Sequence, residues 1–314
     1  MDKTLQAQTT AYLAALRGLK SPNTLRAYDI ALRRFLAYMG AETPVDAISK
    51  SDVIEYRSFL LSDGLTVNAA RDYLCKLRTF FTFCVSVGEI EKSPISLSEI
   101  PKARRIEYNL LDGDEIEQTL FTPPQKPAPQ KHKENAARNR AIVLTLITSG
   151  LRNSELRALT VGDLDFAAGT IEVRHGKGDK RRTAPFPALA QNAVKAYFES
   201  EYCPRDLAEQ KDAILFGSRA DNAGHKTADG WRPLSCCGLE QIVRNTIEEM
   251  TGRKNVTVHA LRHAAASFWD DLGVDLRDVQ NALGHASIHT TERVYVDVLH
   301  KKKSAAKINA AFSA

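Results

Sequence analysis

Little in this chain points to an oxidising or membrane setting. Its five cysteines (Cys75, Cys84, Cys203, Cys236, Cys237) are odd in number, show no C-x-x-C spacing and include an adjacent pair that cannot easily bridge. A disulfide framework is therefore not expected, and a reducing compartment fits. No apolar run approaches the roughly 18 residues that cross a bilayer, and the amino-terminal MDKTLQAQTT lacks the apolar stretch of a signal peptide. The expectation is a soluble, cytoplasmic protein. Net charge is also small, because 43 lysines and arginines against 38 aspartates and glutamates leave only +5. Only the placement of the surplus could argue for a polyanionic partner. No internal repeat with a period of roughly 20–50 residues occurs.

What is present describes a folded chain. Hydrophobic residues make up 43% and charged residues 26% of the 314 positions, which excludes wholesale disorder and fibrous repeats. At roughly 100–200 residues per domain, the length suggests two domains. The basic residues cluster. Residues 171–184, IEVRHGKGDKRRTA, hold five cations and two acids, and residues 300–314 hold four lysines and no acid.

The first hundred residues read as amphipathic helices with clear punctuation. A weaker helix precedes Arg17. In SPNTLRAYDIALRRFLAYMG, Ser21 is a cap, Pro22 the first helical position, and Leu25, Tyr28, Leu32, Phe35, Leu36 and Met39 recur at helical spacing up to Gly40. Further helices are expected from about Ser51 to Gly64 and from Val67 to Gly88. The segment 94–108 breaks the periodicity with two prolines and a cluster of cations, as an extended linker would. The expected division is a helical unit over 1–100, a linker over 101–110 with the boundary near 105, and a second domain over 111–314.

The second domain opens with capping-box-like spacing between Asp112 and Glu115. A Pro- and Lys-rich surface excursion follows at 122–136, then the hydrophobic helix AIVLTLITSG and a short helix from Asn153. TIEVR and RRTAPF read as strands joined by HGKGDK, and helices return thereafter through Ala314. The fold class is thus mainly α (α+β): an all-helical amino-terminal domain and a mainly helical second domain with one small antiparallel sheet.

Four signals carry chemistry. In TSGLRNSELRAL, Arg152 sits between a helix stop at Gly150 and a helix start at Asn153, where its fork and nearby amides can meet a phosphate. Lys177 lies between glycines in the HGKGDK turn, placed to protonate a leaving oxygen or contact a phosphate. In VHALRHAAAS, His259, Arg262 and His263 stand at i, i+3 and i+4 on one helix side. In NALGHASIHTTERVYVDVLH, His285 follows the helix-ending Gly284, and Tyr295 falls about two turns into the next helix. Taken singly, each is a common feature: a solvated arginine, a basic edge turn, a core histidine, a core tyrosine.

A zinc reading of His259 and His263 loses ground because Ala260 stands where H-E-x-x-H needs its glutamate and Arg262 adds a fixed charge. Together, two arginines, a lysine, two histidines and a tyrosine supply what transesterification at a phosphodiester needs. No acidic cluster suited to divalent metals accompanies them.

The order TSGLR-x-x-E-L, GKG in a hairpin, H-x-L-R-H, L-G-H and a tyrosine ten residues later resembles the tyrosine recombinases, the phage-integrase and Xer-type family. The resemblance runs from about residue 8 to 300, with the helical front segment similar to the family's core-binding domain. It implies that Arg152 and Arg262 hold the scissile phosphate, Lys177 protonates the departing 5′ oxygen, and His259 takes or relays the tyrosine proton. His285 would hydrogen-bond a phosphate oxygen and Tyr295 would be the nucleophile, with neither metal nor ATP as cofactor. Arg104, Arg105, Lys180, Arg181 and Arg182 are the expected DNA-binding cations.

The implied partners are double-stranded DNA with specific core sites and a homo-tetramer on it, a second recombinase being a further candidate, at the nucleoid. A type IB topoisomerase and a non-catalytic DNA-binding protein are the rival classes. Ala305, Ile308 and Phe312 form a carboxy-terminal apolar stripe, suited equally to docking on a neighbouring protomer and to folding back on its own domain. Departures from the family pattern are the 122–136 insert and the polar loop at 219–233.

Overall fold

Short oxygen-bearing side chains set the helix starts of the amino-terminal part. The computed structural model describes residues 3–104, 111, 113–121, 135–174, 181–219 and 231–284, and the chain divides into units 1–107 and 108–314. In the first unit, α1 (Leu5–Leu16), α2 (Pro22–Met39), α3 (Lys50–Ser62) and α4 (Val67–Ser86) follow Thr4, Ser21, Ser49 and Thr66. Each of these oxygens accepts a backbone N–H of the first turn, which satisfies donors a helix leaves unpaired. At Ser49 the capping is reciprocal through Asp52. Helix α2 fills the interval between Ser21 and Gly40 that the sequence predicts, and α3 and α4 end two residues before Gly64 and Gly88.

Aromatic rings fill the interior of this unit. Phe35, Tyr56, Phe80 and Phe81 are fully buried, and Phe35 meets Tyr56 and Phe81 edge-on at centroid distances of 4.9 and 6.0 Å.

The segment expected to be an extended linker is packed down as far as residue 104. Ile95 and Ile100 are buried in the helical core. Glu99 accepts from Ser96 N and pairs with Lys50 Nζ at 2.6 Å, Arg71 donates to Pro101 O, and Asn68 exchanges two hydrogen bonds with the Arg104 backbone, each 2.8 Å. The prolines keep this segment out of helix, yet isoleucines five residues apart still bury, each worth roughly 1.5–3 kcal/mol.

The second unit is built around α6 (Ala136–Ser149). Every residue from Ala141 to Ser149 is buried, as befits a helix without a polar face. Helices α8 (Ala188–Phe198), α9 (Cys236–Thr251) and α10 (Val258–Asp271) pack against it. Helix α5 (Gly113–Phe121) precedes it, the short α7 (Asn153–Ala158) follows it, and α11 (Leu276–Leu283) ends the described chain.

Strands β1 (Leu164–Asp165), β2 (Thr170–Val173) and β3 (Arg182–Pro185) form an antiparallel sheet in that order, with Val173 opposite Arg182 and Ile171 opposite Ala184. Ile171, Val173 and Ala184 face the core. A second ladder, β4 (Gly217–Arg219) with β5 (Trp231–Pro233), corrects the expectation of one sheet. The 219–233 loop begins and ends in paired strands, and three-residue strands are too short to show alternation.

The fold is mainly helical with small antiparallel sheets. No described helix is long and apolar enough to cross a membrane. The expected cap at Asp112, the 122–134 part of the insert, the 175–180 turn and the carboxy-terminal stripe lie outside the described residues.

Candidate active site

Two glycines create the space in which the charged groups meet. Gly150 ends α6 in the left-handed region at φ +61°, and a Cβ there would stand 2.7 Å from Leu283 Cδ2. Gly284 ends α11 at φ +66°, where a Cβ would stand 2.6 Å from Arg182 Cδ. Both positions need glycine for conformation and for clearance. One residue past the first lies Leu151, and then Arg152, the residue before α7.

The end of α11 offers three successive carbonyls to three arginines. Arg182 Nη1 donates to Ala282 O, Arg262 Nη2 to Leu283 O at 2.5 Å, and Arg152 Nη2 to Gly284 O at 2.9 Å. The last carbonyls of a helix have no partner within it, so α11 is terminated by cations from β3, α10 and the α6–α7 junction. Arg262 also reaches across to Gly150 O at 2.5 Å and is 4% exposed.

Glu155, on α7, organises two of these arginines. Its carboxylate takes Arg152 Nη1 and Arg182 Nη2, each at 2.6 Å, and also the Arg152 backbone N–H at 2.8 Å. Its side chain is 1% exposed. Burial works against ionisation, but the charge of Arg182 and the hydrogen bonds from Arg152 outweigh it and hold the carboxyl below the ordinary glutamate range. With Arg262 held by carbonyls and only Glu155 between the other two, the three guanidiniums leave the cluster electropositive. Burial first, then repulsion from Arg152 and Arg182, pushes Arg262 down to about 9, so it stays charged at neutral pH while favouring an anion beside it.

His259 lies on the exposed side of this cluster and His263 beneath it, 6% exposed. Their Nε2 atoms are 2.9 Å apart, so one ring donates and the other accepts. Enclosure by the protein on its inner side, followed by the charges of Arg262 and Arg152, pushes the His259 imidazole below its ordinary value, with Glu240 opposing. A histidine biased to the neutral form at physiological pH is suited to accept a proton. Among the described residues, no group of three His, Cys, Asp or Glu side chains could hold a metal ion.

The structure thus brings together Arg152, His259 and Arg262. Lys177, His285 and Tyr295 lie outside the described residues, as do Arg105 and Lys180. Of the other expected DNA-binding cations, Arg104 is exposed, and Arg181 has a 77% exposed side chain with a long 3.6 Å pairing to Glu172. Arg182 is placed differently, its side chain 9% exposed inside the site. Strand parity explains the contrast, because residues 182 and 184 share the inward face of β3 and 181 precedes it. Sequence reasoning missed Glu155, which stands inside the quoted TSGLRNSELRAL string, and Glu240, which no motif contains.

The family described as Phage integrase matches residues 109–302, and the Phage integrase N-terminal SAM-like domain matches residues 8–88. The tyrosine recombinase XerC of Pelobacter propionicus is 31% identical over 277 residues, covering 87% of this chain and 84% of its own. The tyrosine recombinase XerD of Listeria monocytogenes is 29% identical over 290 residues, 91% of each. In fold, the chain resembles the Tn1549 transposon integrase in complex with circular intermediate DNA, with TM-score 0.71, 21% identity and coverage of 97% and 99%. It also resembles the XerH site-specific recombinase bound to palindromic difH substrate in a post-cleavage complex, with TM-score 0.71, 23% identity and coverage of 96% and 84%.

Proposed function

The chain belongs to the phage integrase family, and from that premise we propose that it is a tyrosine-type site-specific recombinase, cleaving and rejoining DNA through a 3′-phosphotyrosine. The observation that most supports this reading is the convergence of Arg152, Arg182 and Arg262 on the carbonyls of residues 282–284, immediately before His285 in the chain.

In this scheme the Tyr295 hydroxyl attacks the scissile phosphorus, its proton passes to His259, and a tyrosyl–phosphorus bond forms. The bond from phosphorus to the 5′ oxygen breaks, and Lys177 delivers a proton to that oxygen. Arg152, Arg262 and His285 hold the non-bridging oxygens while charge gathers on the pentacoordinate centre, and losing one such contact slows the step by about 10²-fold or more. A 5′-hydroxyl from a second strand reverses the reaction, so the bond energy is retained and neither ATP nor a metal ion is needed.

The substrate is duplex DNA carrying specific core sites, bound at the nucleoid by four copies of the chain in a synapse. Because cations meet phosphates, affinity falls steeply as salt rises. Covalent capture tests the reading. Wild-type protein incubated with nicked duplex DNA forms an SDS-resistant adduct, whereas Tyr295→Phe retains DNA in gel shifts and forms none. An adduct trapped with Tyr295→Phe excludes that residue as nucleophile.

A further inference from the structure

We propose that Glu240 is a positioning residue for strand cleavage, one carboxylate that fixes the chain beside Arg152 and beside His259 at the same time. This rests on the recombinase reading. Glu240 projects from the second turn of α9 and is half-buried. Its Oε1 accepts from Asn153 Nδ2 at 3.1 Å, and its Oε2 accepts from the Val258 backbone N–H at 3.0 Å. Asn153 directly follows Arg152 and opens α7; Val258 directly precedes His259 and opens α10.

Neither anchor duplicates another cap. The Thr257 hydroxyl at the head of α10 takes Ala260 N, leaving Val258 N as one of the donors a helix start cannot pair internally. An anion at that end also suits the helix dipole. The second bond reaches the side chain of Asn153, which also approaches Cys236 O at 3.4 Å on the first turn of α9. Helix α9 thereby brackets the starts of α7 and α10, and a shift of α9 moves the guanidinium of Arg152 and the imidazole of His259 together.

The same carboxylate is the opposing charge at His259. That imidazole faces Arg262 and His263 from its own helix, Arg152 from the α6–α7 junction, and Glu240 from α9. Burial and both arginines disfavour its protonation, and Glu240 favours it. Glu240 therefore sets how far the imidazole is depressed as well as where it sits, and a residue serving only as a helix cap would show the second effect alone.

The test compares wild type, Glu240→Gln and Glu240→Leu. The DNA probe is a pool of nicked duplexes with randomised cores, enriched by binding to wild-type protein. The rate of SDS-resistant adduct formation is followed across pH alongside DNA retention without SDS. Leucine removes both anchors and is expected to slow adduct formation about 10²-fold, the scale of a small misplacement of reacting groups, with DNA retained. Glutamine keeps a carbonyl oxygen for the Val258 N–H, and its NH2 can donate to Asn153 Oδ1 once that amide turns over, so it restores most of the rate. Without the carboxylate charge, the acid limb of its rate profile moves to lower pH.

Histidine resonances of free protein, with His259 identified by His259→Gln, supply a readout that needs no DNA: the His259 titration midpoint falls in Glu240→Gln. An unchanged midpoint, or a rate loss in Glu240→Leu that tracks lost DNA retention, overturns the proposal. Failure of wild type to form any adduct sinks the recombinase reading instead, and the titration still decides the role of Glu240 at His259.

Discussion

Replacing Glu155 with glutamine removes one negative charge from between two guanidiniums without changing its size. One carboxylate oxygen becomes an NH2 donor facing Arg152 Nη1 or Arg182 Nη2, each now 2.6 Å from an acceptor. Because the Glu155 side chain is 1% exposed and that of Arg182 9%, water cannot replace the anion at Arg182, whereas Arg152, 26% exposed, can be hydrated. Breaking a buried pair from one side costs about 3–5 kcal/mol. At about 2–4 °C per kcal/mol for a unit of this size, the midpoint of thermal unfolding should fall by about 6–20 °C. Circular dichroism melts of wild type and Glu155→Gln measure it.

The pH dependence has a definite sign. The folded-state carboxyl is held below its ordinary value, so its stabilisation is complete above the unfolded value of about 4.3 and is lost as pH falls through the folded value. The gap between the two melts should stay constant from neutrality to about pH 5 and narrow in more acidic buffer. The double variant Glu155→Gln/Arg182→Met should lose less than the sum of the single changes, because the arginine left without its anion is then gone. A midpoint for Glu155→Gln within about 2 °C of wild type at pH 7 would refute the assignment of Glu155 as the electrostatic centre of the site.

Lys177→Ala should cleave ordinary DNA slowly and recover with a sulfur-bridged 5′ leaving group, since a thiolate departs without a proton; no recovery in single-turnover assays removes Lys177 as the acid. Gly284→Ala places a methyl 2.6 Å from Arg182 Cδ at φ +66°, and should cost about 1–3 kcal/mol in urea unfolding and slow adduct formation. Removing residues 304–314 should weaken cooperative assembly on DNA in gel-shift titrations while one-protomer binding persists; unchanged assembly refutes docking between protomers.

Much of this structure was readable where local chemistry decides it. Ser21, Pro22 and Gly40 bound α2 because capping and backbone freedom act within a few residues. Arg152 and Arg262 stood out because a glycine and a helical spacing announce them. What escaped the sequence depends on partners far away in it. Arg182 looked like one more cation in a basic hairpin, and only the register of β2 against β3, with Arg182 opposite the buried Val173, turns it inward. Glu155 and Glu240 are ordinary surface-type residues until α11, β3 and the head of α10 arrive beside them. Ile95 and Ile100 followed no helical or strand period, so a packed strap looked like a free linker.

The rack formed by residues 282–284 constrains how this chain can change. Each residue added to a helix turns everything beyond it by about 100° and carries it about 1.5 Å along the axis. A single insertion or deletion within 276–283 would therefore unhitch three guanidiniums in one event, along with whatever follows Gly284. The turn at 272–275, whose Leu272 and Val274 are exposed, can absorb such length changes. Drift should accumulate there, while α11 itself keeps a fixed number of residues.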